Sequence, residues 1–352
     1  MPKGYLEEAA TSLVNTAPKV AVVLPVCNVA PYLEDCLNSV LAQTYSNFQV
    51  FAVDDNSSDS SPSILKKFIK EDNRISVSFL GQRKGVSNAR NVALDLIERT
   101  EGFDYVAFVD GDDILEPCFL ETLVKKSIET SSDITVCGFF NFYDGKEGIE
   151  KLVAPKKIDL SQEEFIEHVF GRGKWTKSIG GGGMVWKILF SSSVVKGCRF
   201  PNDVKIVEDE VFLVNIAVRS RKFAYVPLAL YGHRCRGDSL TCDRNITSER
   251  VRARMISLKM GKALPKPSQL VIVSALADAL VKAFQYSDDF PEFQLAPYKQ
   301  LVLKAAEKGL VRKKTLRKFL LFCNHPTLSK VFVISRRTLA KFKRLCFEKE
   351  LL

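Results

Sequence analysis

Apolar positions along the chain alternate between two periods. VAVVL, Val20–Leu24, is an uninterrupted β-prone run of the kind buried on both faces of a sheet, and Pro25 closes it. Leu33, Cys36, Leu37, Val40 and Leu41 then recur at i, i+3, i+4, i+7 and i+8, one face of a helix. FQVFAV (Phe48–Val53) predicts a second strand, Ser60–Ile69 a helix and ISVSFL (Ile75–Leu80) a third strand. Ser87–Glu98 predicts a helix with Ala89, Val92, Ala93 and Leu96 inward. YVAFV (Tyr105–Val109), Phe119–Thr130 and ITVCGF (Ile134–Phe139) continue as strand, helix and strand. Strands alternating with helices imply right-handed crossovers, so the expected class is α/β, Rossmann-like, with a mostly parallel central sheet flanked by helices.

The alternation blurs after Asp144. Ser161-Gln-Glu-Glu164 has the form of a capping box that opens a short helix. Ile179–Gly183 reads as a glycine loop, without the GxxxxGKS pattern of a phosphate-cradling loop. Val207–Val218 predicts another helix, and from Asn245 onward the pattern is helical with no convincing strand. The expected organisation is an N-terminal arm over 1–17, an α/β unit over 18–244 and a helical region over 245–352.

Composition changes this picture little. The 352 residues are 46% hydrophobic and 26% charged, ordinary for a globular protein. No apolar run reaches the roughly 18–20 residues that span a bilayer. The start, MPKGYLEEAATSLVNT, lacks the basic-then-apolar order of a signal peptide, so a cytoplasmic location is expected. The nine cysteines include no CxxC pair, and Cys36, Cys118 and Cys137 fall inside apolar patterns as small core residues. Charge matters more. Residues 245–352 hold 22 basic against 8 acidic residues, a balance of +14, so of the total +10 the first 244 carry −4. The acidic part must be read separately.

Two acidic clusters fall where strands are expected to end, the position at which open α/β sheets bind ligands. Asp54-Asp55-Asn56-Ser57 follows the second strand and Asp110-Gly111-Asp112-Asp113 the fourth. Such residues are also ordinary turn formers, but two clusters at two strand ends of one sheet favour function. Carboxylates there can accept from the N–H groups of a base or the hydroxyls of a ribose. A compact set beside a diphosphate suits Mg²⁺ or Mn²⁺, hard cations that take oxygen ligands. Gly111 lets backbone approach a ligand.

At this point a resemblance emerges. VVLPVCN (Val22–Asn28), SVLAQTY (Ser39–Tyr45), VDDNSSD (Val53–Asp59), GVSNARN (Gly85–Asn91), FVDGDD (Phe108–Asp113) and VEDEVF (Val207–Phe212) occur in that order. With LYGHRCRGDSLT (Leu230–Thr241), they resemble family 2 glycosyltransferases of the GT-A fold, of the capsule and cell-surface polysaccharide type. The resemblance covers roughly Lys19 to Asp243. Cys27 departs from it, since an aromatic residue is usual there. The resemblance implies an inverting transferase that takes a nucleotide-sugar donor, UDP-linked by preference, to a glycan or lipid-linked acceptor with Mn²⁺ or Mg²⁺. It places Pro25 and Asn28 at the nucleotide pocket, Asp55 (or Asp54) at the base, and Arg90 near base or phosphates. Asp110 and Asp112 form its DxD motif, with Asp112 on the metal and Asp110 on ribose or metal. Asp209 matches its catalytic base.

These residue types suit that reaction. Charge builds on the leaving β-phosphate, which a divalent ion stabilises, while the acceptor hydroxyl must lose a proton to a carboxylate. Glu208, Asp209 and Glu210 are consecutive, so they point in different directions from a helix and one faces the sugar. Acids at a helix start also serve its dipole. The resemblance further suggests that His233, Arg234, Arg236 and Ser239 lie on a loop closing over the diphosphate, where cations and a hydroxyl suit phosphate oxygens; His233 is also a candidate metal ligand. Trp186, Lys187 and Glu208 are candidates for the acceptor side, although Lys187 equally suits a snorkelling surface lysine. The competing readings are a sugar nucleotidyltransferase and an inactive sugar-nucleotide scaffold. The first would open with a glycine-rich loop where this chain has PVCNVAPYL, and retention of Asp112 and Asp209 argues against the second.

The final stretch, Ser329–Phe347, mixes Lys330, Arg336, Arg337, Lys341, Lys343 and Arg344 with Phe332, Ile334, Leu339, Phe342, Leu345 and Phe347. That mixture suits a helix on the anionic inner face of a membrane, or one docked on the catalytic unit with a solvated basic face. No nucleic-acid module accompanies the charge, so no nucleic-acid partner is expected.

Overall fold

The computed structural model describes residues 17–143, 150–152, 159–172, 182–236, 247–286 and 295–324. The expected alternation is present in β1 (Val20–Val26), α1 (Ala30–Leu41), β2 (Phe48–Asp54), α2 (Ser61–Glu71), β3 (Ile75–Phe79), α3 (Val86–Thr100) and β4 (Tyr105–Phe108). Then come β5 (Ile114–Leu115), α4 (Phe119–Thr130), β6 (Ile134–Phe142), β7 (Glu150–Leu152), β8 (Asp159–Leu160) and α5 (Gln162–Val169). β9 (Ile188–Ser191), α6 (Ser192–Val195), α7 (Glu208–Arg219) and β10 (Phe223–Arg234) complete the α/β part. The α-helices α8 (Thr247–Met260), α9 (Lys266–Tyr286), α10 (Lys299–Glu307) and α11 (Lys313–Asn324) follow.

Among the described residues ten strands form one sheet in the order β3-β2-β1-β4-β9-β6-β10-β5, with β7 on β6 and β8 on β10. β1 pairs in parallel with β2 and β4, β2 with β3, and β6 with β10. β9 runs antiparallel between β4 and β6. β1 shows why its run is continuous rather than alternating: Ala21 and Val23 enter one core, Val20, Val22 and Leu24 the other, so both faces are covered by helices. The capping box forms, with Glu164 N–H donating to Ser161 Oγ at 3.1 Å and Ser161 N–H to Glu164 Oε2 at 2.9 Å.

The structure corrects the pattern reading in three places. β5, β9 and β10 were not expected as strands. β9 has only four residues and β5 two, and β10 carries Pro227 beside a register shift between Val226 and Ala229. A proline inside a run normally speaks against a central strand, and the bulge is what accommodates it here. Second, α3 buries Ser87, Ala89, Arg90, Asn91, Ala93, Leu94 and Ile97, whereas Val92 and Leu96 are only partly buried. Its inner face is thus rotated and carries an arginine. Third, Leu230–Arg234 lies on a strand rather than in a loop.

The helices beyond Thr247 pack onto the α/β part. Leu264, Val271, Ile272 and Ala275 join the core that holds Phe212 and Ile216. A second cluster of Val273, Leu276, Leu280, Phe319 and Phe322 lies within the helical part itself. No strand occurs among its described residues. Residues 237–246, which contain the expected boundary, and the aromatic-basic stretch Ser329–Phe347 lie outside the described residues. Among the described residues no helix is long and apolar enough to cross a membrane.

Candidate active site

The two acidic clusters stand at the C-terminal ends of β2 and β4, on either side of β1, whose neighbours are reached by opposite crossovers; open α/β sheets bind ligands in the crevice at such a switch point. Asn28, past β1, takes the left-handed conformation at φ 54°, which Asn tolerates better than most residues. Its N–H donates to Ser57 Oγ at 3.0 Å, and its Oδ1 accepts from Ser58 N–H at 2.8 Å, which ties the β1 and β2 loops together. Asp55 is buried and accepts from the N–H groups of Lys84 and Gly85 at 2.8 and 2.7 Å, so its carboxylate pins the loop that opens α3. Asp54 accepts from Ser57 N–H, and its other oxygen, Oδ1, is buried without a partner. Gly111 sits so close to β1 that an added Cβ would meet Pro25 O at 3.3 Å and Val29 Cγ2 at 3.2 Å. The approach of the two strand ends therefore favours glycine.

Arg90 is the node of the site. Only 3% exposed, it comes from the inner face of α3. Its guanidinium donates to Asp110 Oδ1 at 2.9 Å, Glu208 Oε1 at 2.9 Å and Asp209 Oδ1 at 2.7 Å. It joins the β4 acidic cluster to the start of α7, whose Asp209 lies 119 residues beyond Arg90 in the chain. One guanidinium cannot neutralise three carboxylates. Burial, with repulsion from Glu208 and Asp110, holds the Asp209 carboxyl well above its ordinary range despite Arg90. Burial pulls Arg90 the other way, but the three acids outweigh it and keep it firmly charged. Val185 N–H donates to Asp209 Oδ2 at 3.1 Å, fixing the plane of the carboxylate. Val207, just before α7, has φ 59°, a costly conformation for a β-branched residue and of the kind found at functional sites. Glu210 turns away and takes both arms of Arg254 at 3.0 Å.

The four-residue cluster after β4 divides its work. Asp113 is buried, accepting from Tyr231 O–H at 2.8 Å and Arg234 N–H at 2.8 Å. Burial, reinforced by Asp112 and Asp110, raises its carboxyl well above the usual range. Tyr231 also approaches Asp110 N–H at 3.1 Å. Asp112 pairs with Arg236 at 2.8 Å, and burial followed by repulsion from Asp110 raises its carboxyl. Arg234, on β10, donates to the Asp112 carbonyl at 2.8 Å and to Asp35, and lies over the rings of Tyr32 and Phe142. His233 stacks on Trp186 at 5.2 Å and meets Asn141 Oδ1 at 3.1 Å, while Trp186 stacks on Tyr231 at 4.7 Å. Among the described residues no group of three or more His, Cys, Asp and Glu is arranged to hold a metal. Any ion here would draw on Asp110 and Asp112 plus ligand or water oxygens.

Lys187 is not a surface lysine. It is fully buried, its Nζ has no hydrogen-bond partner, and it lies 4.4 Å from the Phe139 ring centroid. Burial pushes its ammonium down to about 7. Trp186 is buried as well, at 3% exposure. Of the glycine loop, Gly180 lies outside the described residues; Gly183, at φ 84°, is packed so that a Cβ would meet Glu210 Cγ and Val169 O at 2.9 Å. Ser239 also lies outside the described residues. Pattern reading missed the structural roles of Tyr231, Asp113 and Arg254. An aromatic and an arginine separated from their partners by more than 40 residues give no local signal.

The glycosyl transferase family 2 model matches residues 21–184. The chain is 32% identical over 228 residues to glycosyltransferase GlyA of Streptococcus pneumoniae, covering 63% of this chain and 31% of that protein. An uncharacterised glycosyltransferase of Haemophilus influenzae is 30% identical over 186 residues, 53% of this chain and 67% of that protein. A putative glycosyltransferase of Bacillus subtilis, EpsH, is 29% identical over 222 residues, 62% of this chain and 61% of that protein. The chain thus spans under a third of GlyA and about three-fifths of EpsH. Among solved structures, S. aureus TarS 1–349 in complex with UDP superposes with a TM-score of 0.65 at 19% identity, over 91% of both chains. The same protein in complex with UDP-GlcNAc gives 0.65 at 20%, over 91% of this chain and 92% of that one. The likeness is one of fold.

Proposed function

Because the chain belongs to glycosyl transferase family 2, we propose that it moves a sugar, with inversion, from a nucleotide-diphosphate donor to a hydroxyl of a glycan or lipid-linked acceptor. The observation that carries this reading is the Arg90 node, which brings Asp110 of the β4 cluster and Asp209 of α7 onto one guanidinium. UDP is the preferred nucleotide, in keeping with the TarS complexes with UDP and UDP-GlcNAc. Asp54 and Asp55, with Pro25 and Asn28, face the nucleoside side of the crevice, and Arg234 and Arg236 supply cations for the diphosphate.

The residues fit a divalent ion. Asp110 and Asp112 are hard oxygen donors, and burial followed by repulsion from Asp110 raises the Asp112 carboxyl, a cost that a bound cation would relieve. Mg²⁺ and Mn²⁺ take a few carboxylates and complete their shell with phosphate and water. When bound, such an ion would stabilise charge on the departing diphosphate. Asp209 takes the proton of the acceptor hydroxyl as its oxygen bonds to the anomeric carbon and the bond to the diphosphate oxygen breaks. A carboxyl raised by burial is a stronger base than a solvated one, which suits that step.

The test is release of nucleoside diphosphate from a UDP-sugar panel with Mn²⁺ and with EDTA. A transferase releases UDP slowly even without acceptor, a nucleotidyltransferase releases pyrophosphate, and a scaffold releases neither. Asp209→Asn should lower transfer by about 10²–10⁴-fold, the usual reach of general base catalysis, with UDP affinity nearly intact. Near-normal turnover in that variant would place the base elsewhere.

A further inference from the structure

A cavity of about 150 Å³ lies between the α/β part and the C-terminal helices, and its Arg254 holds Glu210 of α7. At roughly 30 Å³ per water it has room for several waters or one tetrahedral anion. Its charged lining is Arg172 past α5, Arg250 and Arg254 on α8, Asp278 and Lys282 on α9, and Arg312 before α11. Five cations from four segments thus face one acid, with Glu210 as a second acid held by Arg254.

The acids are already committed. Asp278 accepts from Thr315 Oγ1 at 2.6 Å through Oδ1 and pairs with Arg172 through Oδ2. Glu210 gives both oxygens to Arg254, which also donates to the Ala275 carbonyl at 2.9 Å. Arg172 and Arg254 therefore form a fixed wall. Arg250, Lys282 and Arg312 have no salt bridge among the described residues, and Arg250 Nε is buried without a hydrogen-bond partner. A solvated basic helix face would not bury a guanidinium nitrogen, nor draw its cations from four segments. Guanidinium groups converging on a small polar cavity match phosphate oxygens in charge and in planar fork geometry.

We propose that this cavity binds a phosphate group, as mono- or diester, separate from the donor diphosphate. Arg254 links it directly to Glu210, the neighbour of Asp209. On the transferase reading, on which this extension rests, a phosphate carried by the acceptor is anchored here while its hydroxyl reaches Asp209.

The experiment titrates inorganic phosphate by calorimetry into the full chain saturated with UDP, which fills the donor site. One further site should appear, and the double variant Arg250→Gln, Arg312→Gln should weaken it at least tenfold while leaving UDP affinity unchanged. Arg312 is exposed, so Arg312→Gln alone should fold like the parent by circular dichroism and show a smaller loss of the same sign. Two competitors identify the source of the phosphate. Displacement by oligo(glycerol phosphate) indicates a phosphodiester chain; displacement by phosphatidylglycerol vesicles, with none by phosphatidylcholine vesicles, indicates a lipid headgroup. Phosphate that binds only in the absence of UDP, or equally to the double variant, overturns the proposal. Loss of UDP binding by the parent chain would instead refute the transferase reading and leave this site untouched.

Discussion

Arg90 and Lys187 are both buried cations, and their surroundings make them opposites. Arg90 faces three carboxylates and is held charged. Lys187 faces the rings of Phe139 and Trp186, and its Nζ has no hydrogen-bond partner among the described residues. A lysine whose ammonium falls to about 7 in the folded chain binds fewer protons there than in the unfolded chain between about pH 7 and 10. Folding stability then rises with pH in that window, by up to about 1.4 kcal/mol per pH unit, and the full burial cost remains below it. Lys187→Met should therefore be more stable than the parent at pH 7, with the gap closing towards pH 9 in urea unfolding. A gap that does not change with pH would show that Lys187 finds a counter-charge. Arg90 itself appears in the sequence within GVSNARN, but its three partners do not, because they lie 20, 118 and 119 residues away.

At the level of elements, β10 does more for the site than its pattern suggests. Its bulge moves Tyr231, His233 and Arg234 into position against the β4 cluster and Trp186. Gly232 between them is packed on both sides: an added Cβ would lie 2.6 Å from Phe140 Cζ and 2.7 Å from Ile114 Cγ1. Gly232→Ala should cost about 1–3 kcal/mol in denaturant unfolding, the usual range for overpacking. A variant as stable as the parent would mean that Phe140 repacks freely. Helices α1 to α4 and strands β1 to β4 and β6 were legible because each keeps one period for several residues. β5, β9 and β10 were not, because two are too short to show a period and the third breaks it at Pro227.

Over the whole molecule, charge is segregated: the first 244 residues carry −4 and the remainder +14. We propose that the C-terminal aromatic-basic stretch holds the protein at an anionic membrane surface, where a lipid-linked or growing surface glycan would be met. Each Lys or Arg near such a surface contributes about 1 kcal/mol, within roughly a Debye length. The full chain should pellet with phosphatidylglycerol liposomes at low salt and be released by salt, whereas a chain ending at Asn324 should remain in the supernatant. Equal pelleting of the two, or none of either, would remove the membrane assignment.

Periodicity determined the α/β class, the order of nine large elements (α1 to α4, β1 to β4 and β6) and the helical nature of the described C-terminal residues, because burial on one or both faces imposes its repeat on neighbouring residues. Local chemistry also determined where the two acidic clusters would stand, since strand ends carry them in consecutive positions. The tertiary structure alone decided that Glu208 and Asp209 share Arg90 while Glu210 turns to Arg254. It also decided that Asp113 and Lys187 are interior groups and that five basic residues of four segments meet around one cavity. These outcomes depend on contacts between residues far apart in the chain, and hydrogen bonds and desolvation act on distances in space, of which sequence spacing carries no record.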